Sequence, residues 1–111
     1  MATLAKERPD ALITLDDALT LAHHRRIVAF LTEHRLGMSA GVKTFVEAGA
    51  LITYWPSLPD LYRRGATHVE KILKGANPTE LPVEQATTFE LVMNLKTAQA
   101  FEITIPPSLL F

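Results

Sequence analysis

Residues 54–75, YWPSLPDLYRRGATHVEKILKG, contain the longest regular helical pattern in the sequence. Apolar and small residues repeat there at intervals of three and four, which places them on one stripe of a helix. The stripe consists of Leu58, Leu61, Tyr62, Gly65, Ala66, Val69, Ile72 and Leu73. We expect a β-sheet to cover it. The pattern predicts a helix over residues 58–74, directly after a strand.

Both ends of this helix are marked by suitable residue types. We expect the Ser57 hydroxyl to accept a hydrogen bond from a first-turn amide, and Asp60 favours the positive N-terminal end. Lys74 suits the negative C-terminal end, Gly75 can adopt the left-handed cap conformation, and Pro78 prevents continuation. The sequence therefore predicts where the helix begins and ends.

The remaining segments alternate between strand and helix patterns. Strands are predicted over residues 11–15, 36–39, 50–54 and 89–93, and helices over residues 20–34, 42–48 and 95–101. Asn94 is placed to cap the last of these helices. The short apolar run at residues 11–15 indicates a strand buried on both faces. This alternation predicts an α/β fold with a mostly parallel sheet, flanking helices and right-handed crossovers.

Composition limits the classes of function. The 111 residues predict one small domain, and a net charge of −1 argues against nucleic acid and anionic membrane surfaces as partners. The chain has no cysteine, no apolar run near the ~18 residues of a membrane span, and no motif for a phosphate, dinucleotide or metal cofactor. The sequence gives no support to catalysis and predicts no cofactor.

Candidate ligand contacts follow the strands, because ligands of open α/β sheets bind at the carboxyl ends of strands. Asp16 and Asp17 come after the first strand, where a carboxylate can meet the amino group of a solute. The alternative interpretation, which we favour, is that Asp17 or Thr20 simply caps the next helix, although both carboxylates remain candidates. Ser39 begins a small-residue turn after the second strand, whose amides can face an anionic group.

The third candidate location is the junction before the long helix. Tyr54 and Trp55 form an aromatic pair beside Ser57, at the helix N-terminus. An indole group there is able either to line a ligand cleft or to fill it. The basic run at residues 23–26, by contrast, is interpreted as a solvated helix face.

The long phrases of the sequence resemble a known family. Residues 54–101, followed by ITIPPSLL at residues 103–110, are similar to the C-terminal part of ABC-transporter substrate-binding proteins of the tryptophan/tyrosine type. The resemblance extends back through FVEAG at residues 45–49 and through residues 10–36. It implies a partial lobe of a type I periplasmic binding protein, a two-lobed architecture of which this chain supplies about the last third.

The resemblance also implies a function. We expect a non-enzymatic module that binds a small solute, such as an amino acid, and presents it to an ABC permease in the periplasm; as written, the chain has no export signal and would stay in the cytoplasm. The resemblance implies Gly at the position that Trp55 occupies here. The alternative is a truncated remnant that forms a self-associating structural domain. Either hypothesis predicts a homo-oligomer, with residues 77–111 as a crossing or swapped segment.

Overall fold

The computed structural model describes residues 1–110, so Phe111, the last residue of the apolar tail, lies outside the described residues. Four strands and six α-helices alternate along the chain, with single 3-10 turns at Pro78–Glu80 and Pro107–Leu109. In order they are α1 (Ala2–Glu7), β1 (Ala11–Ile13), α2 (Ala18–Ala22), α3 (His24–Glu33), β2 (Gly37–Ala40), α4 (Lys43–Ala48), β3 (Ile52–Pro56), α5 (Leu58–Leu73), β4 (Phe89–Met93) and α6 (Leu95–Ala100).

The four strands form one sheet in the order β1-β2-β3-β4. The first two pairs are parallel, with Ile13 opposite Ser39 and Ser39 opposite Ile52. Backbone hydrogen bonds of 2.9 Å join Asn94 N–H to the Leu51 carbonyl and Ser57 N–H to the Thr88 carbonyl. From the first of these bonds to the second, the residue numbers rise along β3 and fall along β4, so the two strands are antiparallel. The predicted α/β fold with a mostly parallel sheet is confirmed.

The chain divides into two compact units. The first contains Met1–Tyr54 and the chain from Leu91 onward, and the second contains Trp55–Glu90. The segment that begins at residue 77 therefore starts in the second unit and continues in the first. That this segment crosses or is swapped between chains remains a prediction, as does the single domain inferred from length.

The hydrophobic core lies in the first unit. Phe45 is fully buried and Met38 is 2% exposed. The other members of the buried cluster are Val28, Leu31, Ala40, Val46 and Ala50. They come from α3, α4 and β2 and the turn before β3, so two short helices cover the middle of the sheet. Gly49 ends α4 with a φ of 119°, a conformation that disfavours any other residue.

Asn94 joins the start of α6 to this core. Its Oδ1 accepts a hydrogen bond from Thr97 N–H at 3.1 Å, which confirms the predicted cap of the last helix. Its Nδ2 donates to the Val46 carbonyl at 3.1 Å, and the Thr97 hydroxyl donates to the Gly49 carbonyl at 2.9 Å. The two side chains therefore donate further hydrogen bonds to carbonyl groups at the C-terminal end of α4.

Two expectations about the first β-α unit are wrong. Strand β1 is not buried on both faces, since Ile13 is 78% exposed and the strand pairs on one side only, as an edge strand. The helix predicted over residues 20–34 is two helices, broken at His23. The Nδ1 atom of His24 lies 2.7 Å from the Leu21 carbonyl oxygen, so the ring donates to a backbone group of α2. This side-chain bond competes with the regular helical pattern.

Helix α5 in the second unit has nearly the predicted bounds, and Gly75 has the expected positive φ, 103°. Its expected cover is absent. No residue of α5 is buried, and Tyr62 and Leu73 are 79% and 82% exposed. The predicted cap is also wrong, because the Ser57 hydroxyl makes no hydrogen bond to the first turn. The sequence shows that the helix is amphipathic, whereas burial of its apolar stripe depends on which segments pack beside it.

A single arginine ties α5 to the chain that follows it. The Arg64 guanidinium lies 3.2 Å from Asp60, 3.5 Å from Glu84 and 2.6 Å from the Thr87 hydroxyl. The Ser57 N–H also donates to the Thr88 carbonyl. Together these contacts hold residues 84–88, which follow the helix, beside α5. No helix within residues 1–110 is both long and apolar enough to cross a membrane.

Candidate functional site

The carboxyl ends of the parallel strands bring candidate residues of the first unit to one edge of the sheet. The Thr14 amide, just after β1, donates to the carbonyl of Ser39 in β2 at 2.9 Å. Asp16 and Asp17 follow within three residues. The Gly41 amide, just after β2, lies beside the Asp16 carboxyl group. The structure therefore confirms that the ends of the first two strands adjoin, as a parallel sheet requires.

Asp17 serves as a helix cap. Its Oδ1 accepts a hydrogen bond from Thr20 N–H at 2.7 Å, while the Thr20 hydroxyl oxygen accepts from Asp17 N–H at 3.1 Å. This reciprocal pair is a capping box at the start of α2. The Thr20 amide holds the pKa of the Asp17 carboxyl below its ordinary value, because it stabilises the ionised form. The capping interpretation offered for this residue is confirmed.

Asp16 is in a different environment. Both carboxylate oxygens are shielded from solvent, and within residues 1–110 neither has a hydrogen-bond partner of ordinary geometry. Burial raises the pKa of Asp16 above 3.8; the neighbouring Gly41 amide opposes the rise and the Asp17 charge adds to it. The two adjacent carboxylates thus have opposite pKa shifts, because the Thr20 amide outweighs desolvation at Asp17, whereas desolvation outweighs the Gly41 amide at Asp16.

The small-residue turn after β2 is closed. Ala40 is 4% exposed, Gly41 is buried and Ser39 is half-buried within the strand. The Gly41 amide faces a carboxylate, so it is directed towards Asp16 and not towards open space. Helix α4 has only six residues and no side-chain cap at Val42. An anionic ligand in this turn would meet the charge of Asp16.

The aromatic pair at the end of β3 is outside the core. Tyr54, at the edge of the first unit, is 59% exposed and Trp55, in the second, is 44% exposed. The indole of Trp55 is therefore not buried. Ser57 is 7% exposed, and its backbone N–H is bonded to the Thr88 carbonyl.

The structure also contains two open grooves that the sequence did not predict. One lies between α3 and α4 and is lined by His24, Arg25, Val28, Thr44 and Glu47, among others. The ring of His24 meets that of Phe45 edge-on, with 6.0 Å between centroids.

The second groove follows the apolar stripe of α5, from Leu58 to Val69. The sequence predicted the apolar stripe that lines this groove, but it did not predict that the stripe is exposed. In the described part of the chain, no group of three His, Asp or Glu side chains is placed to hold a metal ion.

The fold defines an α/β protein with polar side chains at the carboxyl ends of its parallel strands, and comparison with known proteins specifies the family. The family model for ABC transporter substrate binding proteins matches residues 1–111, so the chain belongs to this family. Among curated proteins, no significant match is found.

Solved structures agree with this assignment. A conserved domain protein from Vibrio cholerae O1 biovar El Tor is 25% identical, with a TM-score of 0.86 over 97% of this chain and 36% of its own. An ABC domain from Streptococcus pneumoniae, in complex with L-Trp, is 28% identical, with a TM-score of 0.84 over 97% of this chain and 38% of its own. The chain thus spans a little over a third of the length of these proteins.

A third structure shows the same fold at lower identity. CD0873 of Clostridium difficile, described as a substrate-binding protein with adhesive properties in its ligand-free, open form, is 22% identical, with a TM-score of 0.69 over 95% of this chain and 35% of its own. The predicted resemblance to a part of this family is confirmed.

Proposed function

We propose that the chain is a non-enzymatic solute-binding component of an ABC-type importer. The solute is a small molecule such as an amino acid, bound at the carboxyl ends of the parallel strands. The observation that supports this most directly is the shielded carboxylate of Asp16, which lies beside the Gly41 amide where the ends of β1 and β2 adjoin. The S. pneumoniae structure in complex with L-Trp makes amino acids the first solutes to test.

The proposed contacts in the first unit are Asp16, Asp17, Ser39 and Tyr54. Asp17 contributes mainly by fixing the start of α2, since its carboxylate is occupied by Thr20. Tyr54 presents an exposed aromatic ring suited to an apolar solute group. In the second unit the sequence-based candidates are Trp55, whose indole is accessible, and Ser57.

Family membership supports the remaining parts of the proposal. The partner is an ABC permease and the compartment is the periplasm or its equivalent, where importers collect solutes. Because the chain covers little more than a third of the compared structures, it forms part of a binding wall, and the rest is supplied by other protein surface.

Isothermal titration calorimetry with the twenty L-amino acids tests the proposal. At least one amino acid should bind with saturable heat, and Asp16→Asn should weaken that binding. Asp10→Asn is the matched control, because Asp10 is an exposed carboxylate at the opposite end of β1. Equal weakening by both variants, or no binding by the parent chain, contradicts the proposal.

A second candidate function is a self-associating structural domain, and the exposed stripe of α5 favours it. The stripe is symmetric about the middle of the helix, between Gly65 and Ala66. Tyr62 and Val69 lie at equal distances from this point, and so do Leu58 and Leu73. A second copy packed antiparallel would place the two leucine positions opposite each other and tyrosine opposite valine. The small residues would meet at the centre, where a Cβ added to Gly65 contacts nothing within 4 Å. Such a two-fold contact is self-complementary.

Light scattering behind a sizing column tests this homo-oligomer. The parent chain should elute as a dimer, and Val69→Lys should convert it to a monomer. Thr67→Lys, on the polar face of the same helix, should leave the dimer intact. A compact monomer for the parent chain, or dissociation by both variants, contradicts self-association through α5.

A further inference from the structure

We propose that residues 81–88, which follow α5 and are called the strap below, are released from the helix at acid pH, and that His68 senses the pH. The inference goes beyond the proposed function, because it concerns a conformational change within the second unit and not the solute. The strap lies within residues 77–111, the segment predicted to cross or be swapped between chains. Its release would make the start of that segment available for exchange.

The first step is that one side of α5 is covered, although its apolar stripe is open. The half-buried residues of the helix recur at spacings that place them on one side, and they are Asp60, Leu61, Arg64 and His68. Arg64 attaches this side to the strap, since its guanidinium group lies 3.5 Å from Glu84 and 2.6 Å from the Thr87 hydroxyl. His68 is one turn further along the helix, on the side that the strap covers.

The second step is the state of the His68 ring. Its Nδ1 atom is shielded from solvent and has no hydrogen-bond partner within residues 1–110. A shielded polar nitrogen without a partner costs free energy even when the ring is neutral. Protonation adds to this cost, because both ring nitrogens then carry a hydrogen and the ring carries a positive charge. Lifting the strap brings the nitrogen into contact with water, so a proton on the ring favours release.

The third step concerns the charges around the ring. The charged groups on the covered side of α5 and on the chain that follows it are Asp60, Arg64, Lys71, Glu80 and Glu84. Arg64 and Lys71 are within one turn of His68, so a protonated ring has two cations as neighbours. Asp60 and Glu84 are both engaged by Arg64. A proton on His68 therefore places like charges one turn apart, beside the contacts that hold the strap.

The amide of Ser57 reports on the strap, because it donates to the Thr88 carbonyl at 2.9 Å. NMR measures its exchange with solvent in the whole chain, and conversion to a protection factor removes the intrinsic effect of pH. We expect this factor to fall at least about threefold between about pH 7.5 and about pH 5.5, the range in which histidine takes up a proton. The Asn94 amide, with its 2.9 Å bond to the Leu51 carbonyl in the first unit, should keep its protection.

Three variants assign the effect. His68→Gln keeps a polar side chain but cannot be protonated in this range, so the protection of Ser57 should no longer depend on pH. His23→Gln changes an exposed histidine of the first unit and should leave the pH response intact. Arg64→Gln removes the guanidinium contacts to the strap and should lower the protection of Ser57 at both pH values.

Four outcomes would overturn the inference. Equal or higher protection of Ser57 at the lower pH means that acid does not release the strap. A pH response that persists in His68→Gln assigns the sensing to another group. A parallel fall at Asn94 means that acid loosens the chain as a whole. If His68→Gln does not fold, the ring signals of His68 in the parent chain decide the question: a protonation midpoint different from that of the Ser57 response also overturns the inference.

Discussion

The two units of the chain both contain amphipathic helices, but they differ in whether the apolar faces of these helices are buried. In the first unit, α3 and α4 place Val28, Leu31, Phe45 and Val46 into a closed core. In the second unit, α5 has a longer and equally regular apolar stripe, yet none of its residues is buried. Amphipathic character therefore states which face of a helix can be buried, and only a packed neighbour makes that burial stabilising.

The largest expected difference between the units concerns aromatic side chains. Phe45→Ala removes a fully buried ring and should lower the free energy of unfolding by about 3–5 kcal/mol. Tyr62→Ala removes a ring that is 79% exposed and should change it by less than about 0.5 kcal/mol. Urea denaturation of both variants measures the two effects. A loss above about 2 kcal/mol for Tyr62→Ala would show that α5 is covered in solution.

An identical substitution in each unit sharpens the comparison. Val46 is 6% exposed and Val69 is 56% exposed. Val46→Ala should cost about 2 kcal/mol, because two methyl groups are lost from the core. Val69→Ala should cost less than about 0.5 kcal/mol, although burial of the stripe, as the sequence predicted, would make it cost about 2–4 kcal/mol. Equal losses for the two variants in urea melts would contradict the difference between the units.

Two asparagine caps form the next matched pair. Asn94→Ala removes the cap of α6 and the bond to the Val46 carbonyl, and should cost about 1–2 kcal/mol. Asn77 accepts a bond from Thr79 N–H in an exposed 3-10 turn of the second unit. Asn77→Ala should therefore change the midpoint of thermal unfolding by much less. The reverse order of the two effects would mean that the second unit stabilises the chain more than its burial indicates.

The smallest expected effects concern Asp16 and Asp17 and differ in sign. The pKa of Asp17 is lowered in the folded chain, so its contribution is present above the unfolded pKa and is lost as pH falls through the folded value. The pKa of Asp16 is raised from 3.8, so its contribution is present below the unfolded pKa and is lost as pH rises through the folded value. At neutral pH, Asp17→Asn should lower the melting temperature and Asp16→Asn should raise it. Melts between pH 3 and pH 7 measure both slopes, and shifts of the same sign would contradict the assignment.

Local signals explain why the helix cap at Asp17 and the adjoining ends of the first two strands were predictable. Asp17 and Thr20 stand at the spacing of a capping box, and that box forms. The parallel sheet followed from the alternation of strands and helices, and it places the ends of β1 and β2 together. The opposite pKa shifts of Asp16 and Asp17 were not predictable, because burial of a side chain depends on segments that are distant in the sequence.

The sequence by itself determined the α/β class, the near-final bounds of α5, the cap at Asn94 and the family, since each depends on residues close together in the chain or on long matching phrases. Only the tertiary structure decided that β1 is an edge strand, that α5 is exposed and that burial raises the pKa of Asp16. These properties depend on which distant segments lie beside a residue. Side-chain periodicity records the faces of an element, whereas burial and pKa shifts depend on the atoms that surround it.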